Sequence, residues 1–477
     1  MQRFPLLSKV AAIGLVMLLL MMALLRISGV VDERRMRQWQ AAASVEQSLA
    51  GSQTLLGPLL MRDCSEEWDS FVGEGRDRRP TLERRHWSMV GAPVTLQARG
   101  DLRAEARYRG LFKVNGYGGS TVLRARWAHL TALQPTREHL GGRLQCGPVR
   151  VLLSVSDVRG LRAVKASVDD LSLDVQSGTG HPRYTSGLHA VLSDARSAQV
   201  DVPLTATITL DLMGTARLAL VPAAGDTQWT LQSDWPHPSF FGRFLPAQRQ
   251  VEGSGFTARW AVTSLASSAA EAVQQAGELC GLQSAAAASE GEEPTLPATA
   301  GKACLDTLGV AFIDPVNPYV LADRATKYAL LFIVLTFVCV ALTEVLAGRR
   351  VHPVQYTLAG LALALFYLLL VSLSEHIGFD RAYIAASAGC VALLGFYGMH
   401  MLGSRLAGLV FGAGLALLYA LLWVLLQREQ TALVIGSLAL FAVLAVVMVL
   451  TRRLDWYALF DANARDGERG LANSKVT

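Results

Sequence analysis

Five long apolar runs crowd the stretch between Tyr328 and Leu450, and they constrain this 477-residue chain more than any other feature. A helix crossing about 30 Å of hydrocarbon needs roughly 20 mostly apolar residues. Residues 328–347, 356–374, 382–400, 406–426 and 431–450 each meet that requirement. The links between them are short (GRRVHPVQ, EHIGFDR, a few residues around Ser404 and Arg405, and QREQ), so successive helices must run antiparallel. A sixth run spans residues 10–27. The chain as a whole is 51% hydrophobic and only 17% charged, too apolar for an ordinary soluble enzyme of this length, and the excess sits at the two ends.

Basic residues flanking spans set orientation, counted over short loops. Arg349, Arg350, Arg405, Arg452 and Arg453 fall on one face; Glu375, His376, Asp380, Arg381, Arg428 and Glu429 fall on the other and are mixed in sign. The first face is expected to be cytoplasmic. Arg3 and Lys9 precede the first run, so both termini, residues 1–9 and 451–477, are expected inside, with residues 28–325 outside. A cleaved signal peptide is the alternative for the first run, but no small-x-small site precedes Arg26, and a retained anchor is expected.

The middle of the chain reads as β-rich. Leu102, Ala104, Ala106 and Tyr108 alternate with charged residues, and Ala206, Ile208, Leu210 and Leu212 alternate with Thr and Asp. Phe256, Ala258, Trp260 and Val262 repeat the pattern, as do Val149, Val151, Leu153 and Val155. Period two is the signature of half-buried strands. Asn115-Gly116, Gly118-Gly119, Gly141-Gly142 and residues 222–225 are expected to supply hairpin turns, giving an antiparallel, sandwich-like domain between spans one and two. Residues 31–51 are expected to continue the first span as a helix, with Met36, Trp39, Ala43 and Gln47 at helical spacing, and residues 264–279 form a second helix candidate. Residues 281–303, rich in Ala, Glu, Pro and Gly, are expected to form a flexible loop.

Cys64, Cys146, Cys280 and Cys304 lie in this domain; Cys339 and Cys390 lie in spans and read as small buried apolar residues. Four cysteines allow three pairings. Cys280 with Cys304 would close the flexible loop at its base, leaving Cys64 with Cys146.

Chemistry-bearing patterns are sparse. Gly253-Ser254-Gly255 lacks the G-x-S-x-G elbow of a nucleophilic serine and reads as a hairpin turn. His181 and His189 lack a carboxylate or thiolate at ligand spacing and read as solvated loop residues, so no metal or cofactor is expected. Glu344 sits one turn from a helix end, where snorkelling makes its charge inexpensive, and no midplane carboxylate or inverted repeat marks a transporter.

Two features rise above this background. Asp323, Arg324 and Lys327 lead into the second span, and Glu375 and His376 leave the third on the same face, so charges of opposite sign are expected to meet there. The segment SDWPHPSFFGRFLP, residues 233–246, with Pro236, Pro238 and Pro246, fits neither a helix nor a ladder strand and belongs at an edge or in an ordered loop. Its Trp235, Phe240, Phe241 and Phe244 must pack on something. Either they dock the domain on the membrane or on the Asp323/Glu375 cluster, with His237 and Arg243 supplying polar contacts, or they plug the domain's own core.

SDVRGL at residues 156–161, SDWPHPSFFGRFLP, DRATKYALLFI at 323–333, HPVQYTLAGLALALFYLLLVSLSEHIGF at 352–379 and DWYAL at 455–459 occur in order. These blocks resemble the signatures of the CreD family of Gram-negative inner-membrane proteins, over about residues 57–457. The cysteines and the 281–303 loop depart from that pattern. The resemblance implies an inner-membrane protein expressed under the CreBC two-component system and associated with envelope integrity, colicin tolerance and the response to β-lactams, without assigned catalytic residues. The expected partners are the bilayer and an envelope protein or cell-wall component, and no nucleic acid. The alternative is a membrane enzyme or flippase-like protein acting on a lipid or cell-wall precursor. A sensor is a weaker reading, because residues 452–477 are a short polar tail.

Overall fold

A backbone in hydrocarbon must satisfy its own hydrogen bonds, so every apolar run long enough to span has to become a helix. The computed structural model describes residues 5–72, 79–275, 277, 305–314, 317–347, 351–401, 405–428 and 431–452. Among them are six helices long and apolar enough to cross a membrane, within Pro5–Ser48, Pro318–Ala347, Pro353–Ile377, Phe379–Met401, Arg405–Gln427 and Ala432–Thr451. Cys280, Cys304, the 281–303 loop, Arg349, Arg350, Arg453 and the DWYAL block lie outside the described residues. The chain divides into a helical unit, Met1–Arg37 with Val316–Thr477, and a β unit, Gln38–Pro315.

In the helical unit, the second helix begins at Pro318, ten residues ahead of the expected span, so residues 318–325 are helical rather than part of the β domain. Proline suits a first helical position, where its missing N–H is not needed. The third helix opens the same way, and His352 caps it in a reciprocal arrangement with Gln355. The first helix has 44 residues, about 66 Å at 1.5 Å per residue. That is twice what a bilayer requires, and it includes the predicted continuation past residue 31. Within the bundle Phe366 is flanked by Tyr367, Tyr383 and Tyr419 at ring separations of 5.0, 5.6 and 4.6 Å. The Tyr383 hydroxyl donates to the Tyr419 carbonyl at 2.6 Å, and Tyr419 donates to the buried Cys390 thiol at 3.0 Å.

The β unit is two sheets, of nine and eight strands, sharing one apolar core. Leu204, Ala206, Ile208, Leu210 and Leu212 all face that core from strand Leu204–Thr215 while the intervening Thr and Asp residues do not. Trp229 and Trp260 are register partners whose rings stack at 4.7 Å. The two sheets differ in what covers them. In the nine-stranded sheet, strand Arg150–Val155 is buried at every position from Val151 to Val155, because a second cluster containing Leu56, Leu59, Leu152, Ala269 and Val273 covers its other face. Continuous burial is the mark of a strand covered on both sides. The helix there is short among the described residues, Ala269–Gln274, and begins five residues after the expected start at 264.

Three expectations need correction. Strand Thr95–Arg109 alternates as predicted only as far as Leu102; Ala106 and Tyr108 are exposed because its far end runs past the core. Asn115-Gly116 and Gly118-Gly119 are not turns but lie inside strand Phe112–Trp127, while the hairpin turns at Gly110. A side chain at Gly119 would collide with the Asp101 carbonyl of the neighbouring strand, so the glycines serve close backbone approach. Residues 222–225 carry the chain from one sheet to the other instead of closing a hairpin, and strand Asp226–Ser233 then pairs parallel to Thr95–Leu102. Crossovers of this kind make two of the pairings parallel in an otherwise antiparallel domain.

Candidate functional site: a clasp of buried carboxylates in the helical unit

Asp323 lies in the second turn of helix Pro318–Ala347, and Glu375 in the last turn of Pro353–Ile377. Both carboxylates are largely withdrawn from solvent, with side-chain exposures of 12% and 7%. A buried charge is tolerated only when paired. The structure brings these two to one end of the bundle, but their partners come from the first helix. Arg34 reaches Glu375 at 3.5 Å, and Arg35 reaches Asp323 at 3.5 Å. The Tyr319 hydroxyl donates to Glu375 at 3.2 Å, and Lys327 pairs with Asp323 at 2.9 Å, one turn along the same helix. Val31, Ala322 and Val371 form a small buried cluster from the same three helices. Three helices are thus tied by consecutive arginines acting on two carboxylates.

The expected meeting of Asp323, Arg324 and Lys327 with Glu375 and His376 is realised differently. His376 is exposed and its ring nitrogen is 3.2 Å from the Ser372 carbonyl one turn back in its own helix. The Arg34–Arg35 pair was missed, although it stands in the run ERRMR within a predicted helix; consecutive arginines on a helix point to different neighbours, as they do here. Near the opposite end of the bundle Glu344 accepts from the Tyr356 hydroxyl at 3.1 Å, a tie in addition to the snorkelling expected there.

The segment 233–246 packs into the β unit. Residues Pro238–Gly242 are a ladder strand after all, at the edge of the nine-stranded sheet against Leu308–Phe312, and Pro238 takes the first position, where no N–H is required. Trp235 is buried, donates from its indole to the His237 carbonyl at 2.8 Å, and meets Phe312 edge-on. Phe240 sets its edge against Phe256 at 5.7 Å and Trp260 at 5.6 Å, side chains of the opposite sheet. Phe244 packs on the same core, Phe241 lies beneath the Arg217 guanidinium, and Arg243 pairs with Asp306 at 2.9 Å. Trp235, Phe240 and Phe244 are therefore accommodated by the domain's own core, Phe241 packs on Arg217 instead, and His237 is exposed.

SDVRGL forms the seat of the first helix. A helix leaves its last carbonyls without partners. Arg159 donates to the Gln47 carbonyl and, at 3.2 Å, to that of Glu46. Asp157 holds the guanidinium at 2.6 and 2.9 Å and accepts from the Gly51 amide at 3.1 Å. The Arg159 hydrogen bond holds the Asp157 carboxyl below its ordinary range, against the opposing push of burial. Ser156 adds a hydroxyl bond to the Ser52 carbonyl at 2.8 Å.

The Cys64–Cys146 bridge is formed, between residues that are register partners. Nearby Glu66 is fully buried and takes the backbone amides of Glu138 at 3.3 Å and His139 at 3.1 Å, while the His139 ring stacks on Trp68 at 3.8 Å. Burial pushes the Glu66 carboxyl up, but the amides and the His139 ring together pull it below its ordinary value. His181 is not a solvated loop residue: it is buried, and its Nδ1 accepts from the Arg183 and Tyr184 amides at 3.1 Å, a turn-closing role.

Comparison with known proteins agrees with the blocks that carry the resemblance and extends beyond them. The family model described as Inner membrane protein CreD matches residues 5–457, so the match takes in the first helix as well. The Inner membrane protein CreD of Escherichia coli (strain K12) is 33% identical over 462 residues, covering 96% of this chain and 95% of that protein. With six helices able to span a membrane and a family match over nearly its whole length, the chain belongs to the CreD family of multi-pass inner-membrane proteins.

Proposed function

We propose that the protein is a non-catalytic factor of envelope integrity and stress response: the β unit faces the periplasm and binds an envelope component, both termini lie in the cytoplasm, and the helical unit anchors that domain. The observation that supports a non-catalytic role is the state of Asp323 and Glu375. General acid–base chemistry calls for a carboxylate within hydrogen-bond reach of the proton it takes from a substrate. These two, acidic groups at one end of the bundle, are occupied by Arg35 with Lys327 and by Arg34 with Tyr319. Their geometry is that of a helix clasp. The mixed-sign charge of the 375–381 and 428–429 links, against Arg405 and Arg452 on the opposite face, supports the orientation.

The reading is tested in a strain lacking the gene, challenged with a β-lactam and with a detergent. Complementation by the full-length protein should restore survival, and Glu375→Gln should retain most of it wherever the protein accumulates to normal levels. Normal accumulation of Glu375→Gln with complete loss of complementation would favour the membrane-enzyme or flippase reading, as would turnover of a lipid or cell-wall precursor by purified protein.

A further inference from the structure

The eight-stranded sheet buries one face in the sandwich core, and its other face carries a concentrated, unpaired positive charge. Its register lets that face be read row by row. Arg259, Thr230 and Arg99 are successive partners on three strands, and Val122 and Thr209 continue the row to Lys165. In the next row Gln228, Gln97, Arg124 and Thr207 are partners; in the third, Arg126 stands between Thr95 and Thr205. Arg99, Arg124, Arg126, Lys165 and Arg259 are all exposed, and none has a hydrogen bond or ion pair to an acidic side chain among the described residues. Elsewhere in this unit strand arginines pair with acids, as Arg150 does with Asp63 and Arg107 with Glu105. Acids appear only at the margins of these rows, as Asp226 in the third and as Asp101 and Asp211 in the row beyond Arg99.

We infer that this face is a binding surface for an acidic glycan, a chain of sugars bearing carboxylates. Three features select that chemistry. Neighbouring strands lie about 4.8 Å apart and same-face residues along a strand about 6.8 Å apart, so the cations recur about 7–14 Å from one another across a sheet face, suited to an extended ligand with regularly spaced acid groups. Between the cations stand Thr, Gln and Ser, donors and acceptors for hydroxyl groups, and Arg can take a carboxylate in two parallel hydrogen bonds. None of the exposed large apolar side chains of the unit falls on these rows. A bilayer-binding surface adds apolar side chains that insert between lipids, and a protein interface concentrates aromatic and apolar residues at its centre. The surface deepens the proposed function by naming the class of envelope component, and rests on that reading for its compartment alone.

The test uses the full-length protein in an uncharged detergent, with fluorescent polygalacturonate oligosaccharides as probe and maltodextrin of equal length as the neutral control. Wild type should bind the acidic chain, more weakly as salt rises, and not the neutral one. Arg99→Gln/Arg124→Gln/Arg259→Gln should weaken binding at least about tenfold, whereas Arg79→Gln/Arg137→Gln/Arg143→Gln, an equal change of charge elsewhere on the unit, should change it by less than about twofold. Thermal unfolding should be unaffected by either set. The proposal is overturned by absence of binding, by equal losses in the two triple variants, or by tighter binding to phosphatidylglycerol vesicles or polyglutamate than to the oligosaccharide. Because the assay uses purified protein, a negative result removes the surface, while the envelope challenge separately judges the wider function.

Discussion

Arg159 illustrates how much one side chain can carry at a junction. It donates to two carbonyls at the end of the first helix and is itself held by Asp157. Arg159→Ala leaves those carbonyls without this donor and the Asp157 carboxylate with the Gly51 amide but no guanidinium, and the loss of charge-assisted bonds is read as a lower Tm of the full-length protein. Asp157 links the same site to pH. Because the folded state holds its carboxyl below the ordinary range, the stabilisation is fully present above the unfolded value, near pH 4, and fades as pH falls through the folded value. Asp157→Asn should therefore lower Tm at pH 7 and flatten its decline below about pH 4; an unchanged acid limb would show that this carboxylate does not contribute. SDVRGL was legible as a distinctive block but not as a cap, because its partners lie more than a hundred residues away, at 3.2 and 3.1 Å.

Individual elements were legible wherever one local rule governed them. Each long apolar run became a helix because hydrocarbon leaves the backbone no other choice. Strand Leu204–Thr215 alternates cleanly because one face meets the core and the other does not. The misreadings arose where a residue type obeys two rules. Glycine serves turns and also close strand contacts, and Gly118-Gly119 serve the second. Proline excludes the interior of a strand but not its first position, which is why Pro238 could open the edge strand. That strand keeps its place through Phe240, wedged against Phe256 and Trp260. Phe240→Ala should cost about 2–3 kcal/mol, less than for a fully buried ring, because Phe240 is half-buried. Chemical denaturation of the full-length protein, followed by tryptophan fluorescence, measures it, and a loss below half a kcal/mol would mean the ring is not part of the core.

The clasp ties three helices of the helical unit that are far apart in the chain. The sequence placed Asp323 and Glu375 at one end of the bundle from span order alone, yet it could not name their partners Arg35 and Arg34, which stand about 290 and 340 residues earlier along the chain and pair only after three helices assemble. A carboxylate that holds helices together can exchange places with its arginine; a carboxylate that does chemistry cannot. The most direct measurement is therefore the reciprocal exchange Arg34→Glu/Glu375→Arg, assayed for Tm and for survival of the complemented strain under β-lactam challenge. Each single change should lower Tm, by about 2–4 kcal/mol in stability for a pair of this burial, and impair survival, and the exchange should recover most of both. Recovery of Tm without recovery of survival would contradict the account and give Glu375 a chemical role.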